Sequence, residues 1–179
     1  MESRSEALFI GGRSGVGKTT VAYEIHAQLS AREVRHALIE GDNLDMAYPP
    51  TREHGLAERN LAAMWGNYRS LGFRRMIYVN TASVRVVDEL TEVMGDRPRV
   101  TAVLLTSSDA TARERLGRRE IGSTLDWHVH RSDLMAAELD EATKPWVHRV
   151  ATDGRQVSDI AAEVITLTGW DAVRGARPG

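Results

Sequence analysis

The loop Gly12 to Thr19, which reads GRSGVGKT, follows directly on the apolar run 7–10 and matches the pattern G-x-x-x-x-G-K-T. Its glycines let the backbone curl so that successive N–H groups form a nest for a phosphate chain. Lys18 adds a cation for the outer phosphates, and Thr19 offers a hydroxyl to Mg²⁺. The amphipathic helical pattern that comes next turns its positive dipole end toward the same anions. The sequence predicts that ATP or GTP, with Mg²⁺, binds at Gly12, Arg13, Ser14, Gly15, Val16, Gly17, Lys18, Thr19 and Thr20.

Short apolar runs alternate with helical patterns along the chain. The pattern predicts strands at 7–10, 36–40, 75–80, 100–105 and 147–151, and helices at 17–31, 57–71, 83–94, 109–120, 124–141 and 157–168. Two of the runs are nearly all apolar instead of alternating, which is typical of parallel strands covered on both faces. We therefore predict an α/β fold, a three-layer α/β/α sandwich around a five-stranded parallel sheet. Ligands of such sheets gather at the carboxyl ends of the strands.

Length and charge limit the class of protein. A chain of 179 residues suits a single domain, 1–179. A formal charge of −2 gives no bulk attraction to nucleic acid or a membrane surface, so a small-molecule partner is favoured. The first residues lack an apolar signal-peptide core and cysteine is absent, so a cytoplasmic location without disulfides is expected. The oligomeric state stays open.

Acidic residues follow the second predicted strand, in the run Glu40-Gly41-Asp42-Asn43. A carboxylate at the position of Asp42 faces the terminal phosphate, where it can accept a proton from a substrate hydroxyl or hold water on Mg²⁺. The alternative is that Asp42 only caps the next turn, because Asp and Asn favour helix starts and tight turns. Glu40 and Asp45 are rival acids for the same role.

The phosphate loop followed by a strand that ends in Gly41-Asp42-Asn43 resembles the small P-loop kinases. Adenylylsulfate kinase carries a very similar Gly-Asp-Asn, and gluconate kinase, shikimate kinase and chloramphenicol phosphotransferase place an Asp comparably. The resemblance covers most of the chain. It implies a P-loop nucleoside triphosphate hydrolase fold of the nucleoside-monophosphate-kinase type.

The segments 103–106 and 112–120 are similar to the part of these kinases that leads into a lid, here about 113–133. In the resembling kinases, lid arginines fold over the phosphates. Arg115 and Arg119 are four residues apart and share a helical face, and guanidinium groups suit phosphoryl oxygens. We predict that both are catalytic together with Lys18 and Asp42, and that Arg115 also binds nucleotide. The alternative is a solvated helix whose arginines form weak exposed pairs with neighbouring glutamates.

The resemblance also implies that Thr152, Asp153 and Gly154 flank the nucleotide base, although Thr-Asp-Gly is good turn chemistry in any case. These kinases insert their acceptor-binding segment after the second strand, here about 43–72. The predicted acceptor residues are Asp42, Asn43, Tyr48, Arg52, His54, Trp65, Tyr68, Arg69 and, from the lid, Trp127. For Trp65 and Tyr68 the alternative is a place in the core, because both share a helical face with Leu61 and Met64.

The residues after the third and fourth predicted strands exclude other classes of nucleotide-binding protein. Asn80-Thr81 and the run 106–108 replace the acidic residues of motor and transport ATPases, and no N-K-x-D for guanine is present. Mg²⁺ would then depend on Thr19, phosphate oxygens and water, with Asp42 the nearest acid.

The sequence thus indicates an ATP- or GTP-dependent phosphotransferase that moves the γ-phosphoryl group to a hydroxyl of a small molecule. The aromatic residues of the insertion favour a ring-bearing acceptor, such as an antibiotic or a nucleoside-like metabolite. A primary-metabolism kinase of the adenylylsulfate or gluconate type is the alternative. A nucleotide-binding regulatory protein with slow hydrolysis is the second alternative.

Overall fold

The computed structural model describes residues 4–50, 54–119 and 125–172, without the side chains of 119, 125–131 and 172. The strands are β1 (Glu6–Gly11), β2 (Ala37–Glu40), β3 (Arg75–Val79), β4 (Arg99–Thr106) and β5 (His148–Ala151). The helices are α1 (Lys18–Ala31), α2 (Leu56–Ser70), α3 (Val87–Met94), α4 (Asp109–Arg119), α5 (Leu125–Ala142) and α6 (Val157–Thr168). Short 3₁₀ turns cover Gly41–Asn43 and Trp170–Ala172. No helix in these ranges is long and apolar enough to cross a bilayer.

The five strands form one parallel sheet in the order β2-β3-β1-β4-β5. The central strand β1 pairs with β3 and β4, so that Ile10 lies opposite both Val79 and Val103. The loop that leaves the carboxyl end of β1 therefore begins between the ends of two neighbouring strands. This arrangement confirms the predicted α/β fold with its five-stranded parallel sheet.

Two apolar layers enclose the sheet. Leu8 and Ile10 face a core completed by α1 and α6, whereas Ala7 and Phe9 face a core completed by α2, α3 and α5. Because both faces of β1 are buried, its side chains cannot alternate between apolar and polar. The apolar run in the sequence has this physical cause, and the three-layer sandwich is confirmed.

One predicted helix begins later than its sequence pattern suggests. The prediction of 83–94 is wrong in its first residues, because α3 starts at Val87. The preceding residues form turns in which the Ser83 N–H donates to Asn80 O and the Arg85 N–H donates to Ala82 O. Val84 lies in this turn and is buried. Its position therefore fits the apolar spacing of a helix, although the residue is not helical.

Candidate active site

The loop Gly12–Thr19 joins β1 to α1 and packs tightly against its surroundings. Gly12 has φ 145°, and a Cβ there would lie 2.7 Å from Leu105 O. Gly15 has φ 83°, and a Cβ there would lie 2.7 Å from Ala112 O. Both positions need glycine for the positive φ and for the close approach of another backbone. The conformation of the loop is therefore determined by its packing against β4 and α4 as well as by its own turns.

Side chains of α4 and α5 hold two carbonyl groups of the loop. The Ser132 hydroxyl donates to Ser14 O at 2.9 Å, and Arg115 Nη1 donates to Val16 O at 2.9 Å. A trans peptide points its C=O and the next N–H in opposite directions. The N–H groups of Gly15 and Gly17 are thereby directed away from α4 and α5. The lysine is folded back on the same loop, since Lys18 Nζ donates to Arg13 O at 3.1 Å.

A cleft of about 200 Å³ lies over the loop. It is lined by Ser14, Gly15, Gly17, Lys18, Thr19, Thr20, Asp42, Thr81 and Leu116. The fold thus brings Asp42 to the same cleft as Lys18 and Thr19. The Thr19 hydroxyl and the Asp42 carboxylate are hard oxygen donors of the kind that suits Mg²⁺. The described residues contain no group of three metal-ligating side chains, so a cation here would need phosphate oxygens or water as further ligands.

Asp42 is exposed on the 3₁₀ turn after β2, and a neighbouring strand orients it. Asn80 Nδ2 donates to Asp42 Oδ1 at 2.7 Å, while Asn80 Oδ1 accepts the N–H of Ala82 at 2.9 Å. The amide is therefore held at both ends, and Asp42 Oδ2 is not engaged by it. Sequence reasoning noted Asn80 only as the absence of an acid. Its position at the carboxyl end of a strand was the signal that could have identified it.

The side chain of Tyr78 packs against the same turn at Gly41. A Cβ on Gly41 would lie 2.4 Å from Tyr78 Oη, so only glycine lets the turn pack onto the phenol. Burial and, to a smaller extent, the carboxylates of Asp42, Glu58 and Asp45 raise the pKa of Tyr78 to about 12. The hydroxyl is accordingly protonated at neutral pH. Sequence reasoning did not single out this residue.

Arg115 connects the loop to the turn after β5. Besides Val16 O, its Nη1 contacts Thr152 Oγ1 at 3.1 Å, and Nη2 contacts Thr152 O at 3.4 Å. Asp153 accepts the N–H and the hydroxyl of Ser108 at 2.9 and 3.0 Å. Hydrogen bonds from Thr111 and Ser108 lower the pKa of Asp153. The predicted base-flanking turn is therefore fixed next to the loop, and the predicted nucleotide contacts of its residues stay predictions.

Arg13 and Arg119 differ from what their place in the motifs suggests. The Arg13 side chain is only 3% exposed and turns toward α4 and α5. It does not line the cleft, so a contact of Arg13 with nucleotide would be made by its backbone. The side chain of Arg119 lies outside the described residues. Its predicted place over the phosphates stays a prediction.

The predicted acceptor residues do not come together in one place. Asn43 is exposed on the same 3₁₀ turn as Asp42, and Tyr48 and His54 are also exposed. Tyr48, at 97% exposure, is free to meet a ligand. Tyr68 packs edge to face on Phe73 and lines a groove of about 530 Å³ beside β2, outside the cleft. Arg52 and the side chain of Trp127 lie outside the described residues.

Trp65 requires correction as an acceptor residue, whereas the predicted acceptor contact of Arg69 stays a prediction. Trp65 is fully buried, and its indole N–H donates to Asp96 Oδ2 at 3.1 Å. Arg69 lies near the end of α2 with its Nε 3.1 Å from the same carboxylate oxygen. Trp65 is thus a core residue, because its helical face packs onto the sheet and leaves no surface for a ligand. Arg69 neutralises the carboxylate that satisfies the buried indole.

This fold, with a phosphate loop and an acid across the cleft, defines a P-loop small-molecule kinase. Within that class, the chain belongs to the adenylylsulphate kinase family, whose model matches residues 4–129. No match was found among curated protein sequences.

Several solved structures share the fold at low sequence identity. The tunicamycin resistance protein of Deinococcus radiodurans is 20% identical with a TM-score of 0.63, and the match covers 93% of this chain and 96% of that one. A gluconokinase from Sinorhizobium meliloti is 20% identical with a TM-score of 0.60, covering 92% and 91%. The APS kinase of Mycobacterium tuberculosis is 19% identical with a TM-score of 0.58, covering 92% and 97%.

Proposed function

We propose that the chain is an ATP- or GTP-dependent phosphotransferase that moves the γ-phosphoryl group to a hydroxyl of a small molecule. One observation carries the proposal: a single cleft is lined by Lys18 and Thr19, here called its donor wall, and by Asp42, oriented by Asn80, here called its acceptor wall. A phosphoryl donor on the loop would then face a carboxylate that can receive a proton. Positioning and charge stabilisation are what phosphoryl transfer demands of a protein.

On the donor wall, the N–H groups of the loop bind phosphate oxygens, and Lys18 leaves Arg13 O to contact the outer phosphates. Thr19 and Asp42 would hold Mg²⁺, which when bound neutralises phosphate charge. Arg115 secures the loop against the turn at Thr152. Arg119 is proposed to supply further positive charge from the lid.

On the acceptor wall, Asp42 positions the acceptor hydroxyl and takes its proton as the oxygen attacks the γ-phosphorus. Asn80 already occupies Oδ1, so Oδ2 is the oxygen proposed to receive that proton. The product is a phosphate ester, and the nucleoside diphosphate leaves.

We propose a ring-bearing acceptor, such as an antibiotic or a nucleoside-like metabolite. The support is the exposed Met46 and Tyr48 on the segment after Asp42, since such side chains can stack on or cover a ring. The structural similarity to a tunicamycin resistance protein is compatible with this acceptor class. The family match favours the second candidate, a primary-metabolism kinase of the adenylylsulfate or gluconate type.

The test is an unbiased screen of hydroxylated metabolites and antibiotics with ATP and with GTP, read by mass for an added phosphoryl group. Asp42→Ala is expected to lower kcat about 10²- to 10⁴-fold and to leave the affinity for nucleotide, measured without Mg²⁺, unchanged. Asp45→Ala, which removes a neighbouring carboxylate of the same segment, is the matched control and should retain most of the activity. Asp42→Ala turnover within a few-fold of wild type would contradict the assignment. A nucleotide-dependent protein partner without any phosphorylated small molecule would instead favour the regulatory alternative.

A further inference from the structure

The second residue of the phosphate loop carries a buried cation that is clamped from two helices. Arg13 Nε donates to Ser132 Oγ at 3.0 Å, while its Nη1 and Nη2 form ion pairs with Asp109 of α4 and Asp133 of α5. We call the set of Arg13, Asp109, Ser132 and Asp133 the Arg13 latch. The loop pattern itself leaves this position open to many residue types. The latch is therefore a feature of this chain beyond the motif.

Two partners in the latch, Ser132 and Asp133, have a second contact. Ser132 accepts from Arg13 and donates to Ser14 O at 2.9 Å, so one hydroxyl ties two consecutive loop residues to α5. Asp133 also accepts from Arg113 Nη2 at 2.7 Å, and hydrogen bonds from Arg113 and Arg13 lower its pKa. Two guanidinium groups thus face two carboxylates. The burial of Arg13 is compensated by charge and by hydrogen bonds.

The latch also reaches the lysine of the loop. The side chain of Arg13 is held by α4 and α5, while its backbone carbonyl accepts the hydrogen bond of Lys18 Nζ. Any shift of α5 relative to the sheet moves Arg13 and, with it, the oxygen on which Lys18 rests. Arg13 itself is only 3% exposed, whereas Asp109 and Asp133 are 65% and 24% exposed. Removing either carboxylate therefore leaves a buried guanidinium with less compensating charge.

We infer that Arg13 is a positioning residue that couples α5 to the phosphate loop, so that nucleotide binding and the order of α5 are thermodynamically linked. Such coupling is reciprocal: if a correctly held α5 improves nucleotide affinity, bound nucleotide must stabilise α5 by the same factor. The inference rests on the proposed nucleotide site.

The experiment measures ATP affinity by calorimetry and amide hydrogen exchange over residues 132–142, with and without ATP. In the wild type, ATP should slow exchange in this part of α5. Asp133→Asn is expected to raise the ATP dissociation constant about tenfold and to abolish that protection. Ser132→Ala is the milder variant, with an expected loss of about threefold. Arg13→Lys keeps the charge but lacks the fork, so it should resemble Asp133→Asn.

Asp140→Asn is the matched control, because Asp140 lies about two turns further along the same helix and forms its ion pair with Arg149 instead of Arg13. It should bind ATP and show protection as the wild type does. The inference is overturned if the latch variants bind ATP within twofold of wild type, or if Asp140→Asn loses as much affinity as Asp133→Asn. Unchanged affinity in the latch variants leaves the nucleotide site intact. Failure of the wild-type protein to bind ATP or GTP overturns the proposed function and the latch together.

Discussion

The two walls of the cleft are built in different ways. On the donor wall, Val16 and Arg13 are buried and two loop carbonyls are held by side chains from α4 and α5. On the acceptor wall, Asp42 is oriented by Asn80, and the residues beyond it include Met46 and Tyr48 at 75% and 97% exposure. The donor wall is thus ordered before any ligand arrives, whereas much of the acceptor wall has its contacts still to make. The difference indicates that preorganisation has been concentrated on the phosphate donor.

The largest effect should distinguish two of the aromatic residues predicted to bind the acceptor, Trp65 and Tyr48. Trp65→Ala is expected to lower the free energy of unfolding by about 3–5 kcal/mol, because it empties a fully buried site. Tyr48→Ala should change it by no more than about 0.5 kcal/mol, and should raise KM for the acceptor. Urea unfolding followed by circular dichroism measures the first quantity. A loss of stability in Tyr48→Ala comparable to that in Trp65→Ala would show that the acceptor wall is as rigid as the donor wall.

Glycines provide the next test of the contrast. Gly15→Ala should cost about 1–3 kcal/mol of stability and at least about tenfold in ATP affinity, because a Cβ would meet Ala112 O at 2.7 Å. Gly55→Ala also places alanine at a positive φ, 58°, but its nearest atom would be Glu58 Oε2 at 3.6 Å. It should cost about 1 kcal/mol and leave ATP affinity unchanged. Calorimetric titration of both variants with ATP measures the two affinities. Equal losses of ATP affinity would contradict the difference between the phosphate loop and the segment at Gly55.

Some elements of the fold could be predicted from the sequence and others could not. The strands were predicted within one or two residues. The buried parts of β1, β3 and β4 are nearly all apolar, and turn residues bound the strands. The start of α3 was missed because Val84 is buried from a turn that Asn80 organises, and its spacing imitates a helix. Contacts of that kind depend on the tertiary fold and leave no local signal.

For the site, the loop and Asp42 could be found from spacing and from the rule that ligands gather at the carboxyl ends of strands. Tyr78 and Ser132 could not, because each acts on a residue far away in the chain and has an ordinary local context. Asn80 was missed although the same rule applies to it, since it directly follows β3. Trp65 was ambiguous because a helical face toward the core and one toward a pocket have the same periodicity. Burial in the folded chain resolves the ambiguity.

Asn80→Ala should have an intermediate effect that sharpens the comparison on the acceptor wall. Without the amide, Asp42 loses the hydrogen bond that orients it, and kcat should fall about tenfold. ATP affinity should not change, because Asn80 does not line the cleft. Steady-state kinetics with the acceptor from the screen, beside ATP titration, measures both. Asn67→Ala, on the exposed face of α2, is the control and should change neither quantity. If ATP affinity in Asn80→Ala fell together with kcat, the two walls would not act independently.

The smallest effect concerns the contact between α1, which begins at the donor wall, and β2, which leads to Asp42. His26 Nδ1 and His36 Nε2 are 2.8 Å apart, and His36 Nδ1 lies 2.7 Å from Val34 O. A carbonyl only accepts, so His36 Nδ1 carries the proton and Nε2 accepts from His26. Protonation of His36 would break this bond.

Burial is the main cause that lowers the pKa of His36 below its ordinary 6.5. Below pH 6.5 the unfolded chain therefore binds more protons at this residue, so its contribution to stability is present above 6.5 and is lost as the pH falls. Tm should decline from pH 7 toward pH 5.5, and His36→Gln should flatten that decline. His148→Gln, at an exposed position on β5, should not. Superimposable pH profiles of wild type and His36→Gln would contradict the assignment.

The exposed segment after Leu44 has a consequence for how such a protein can change over generations. Met46 and Tyr48 contribute little buried area. Replacing them therefore hardly lowers the free energy of unfolding, which is small in any protein. Mutations that would be purged from the phosphate loop as destabilising are tolerated here. If this segment meets the acceptor as proposed, selection can vary the acceptor contacts while the phosphate loop is inherited unaltered.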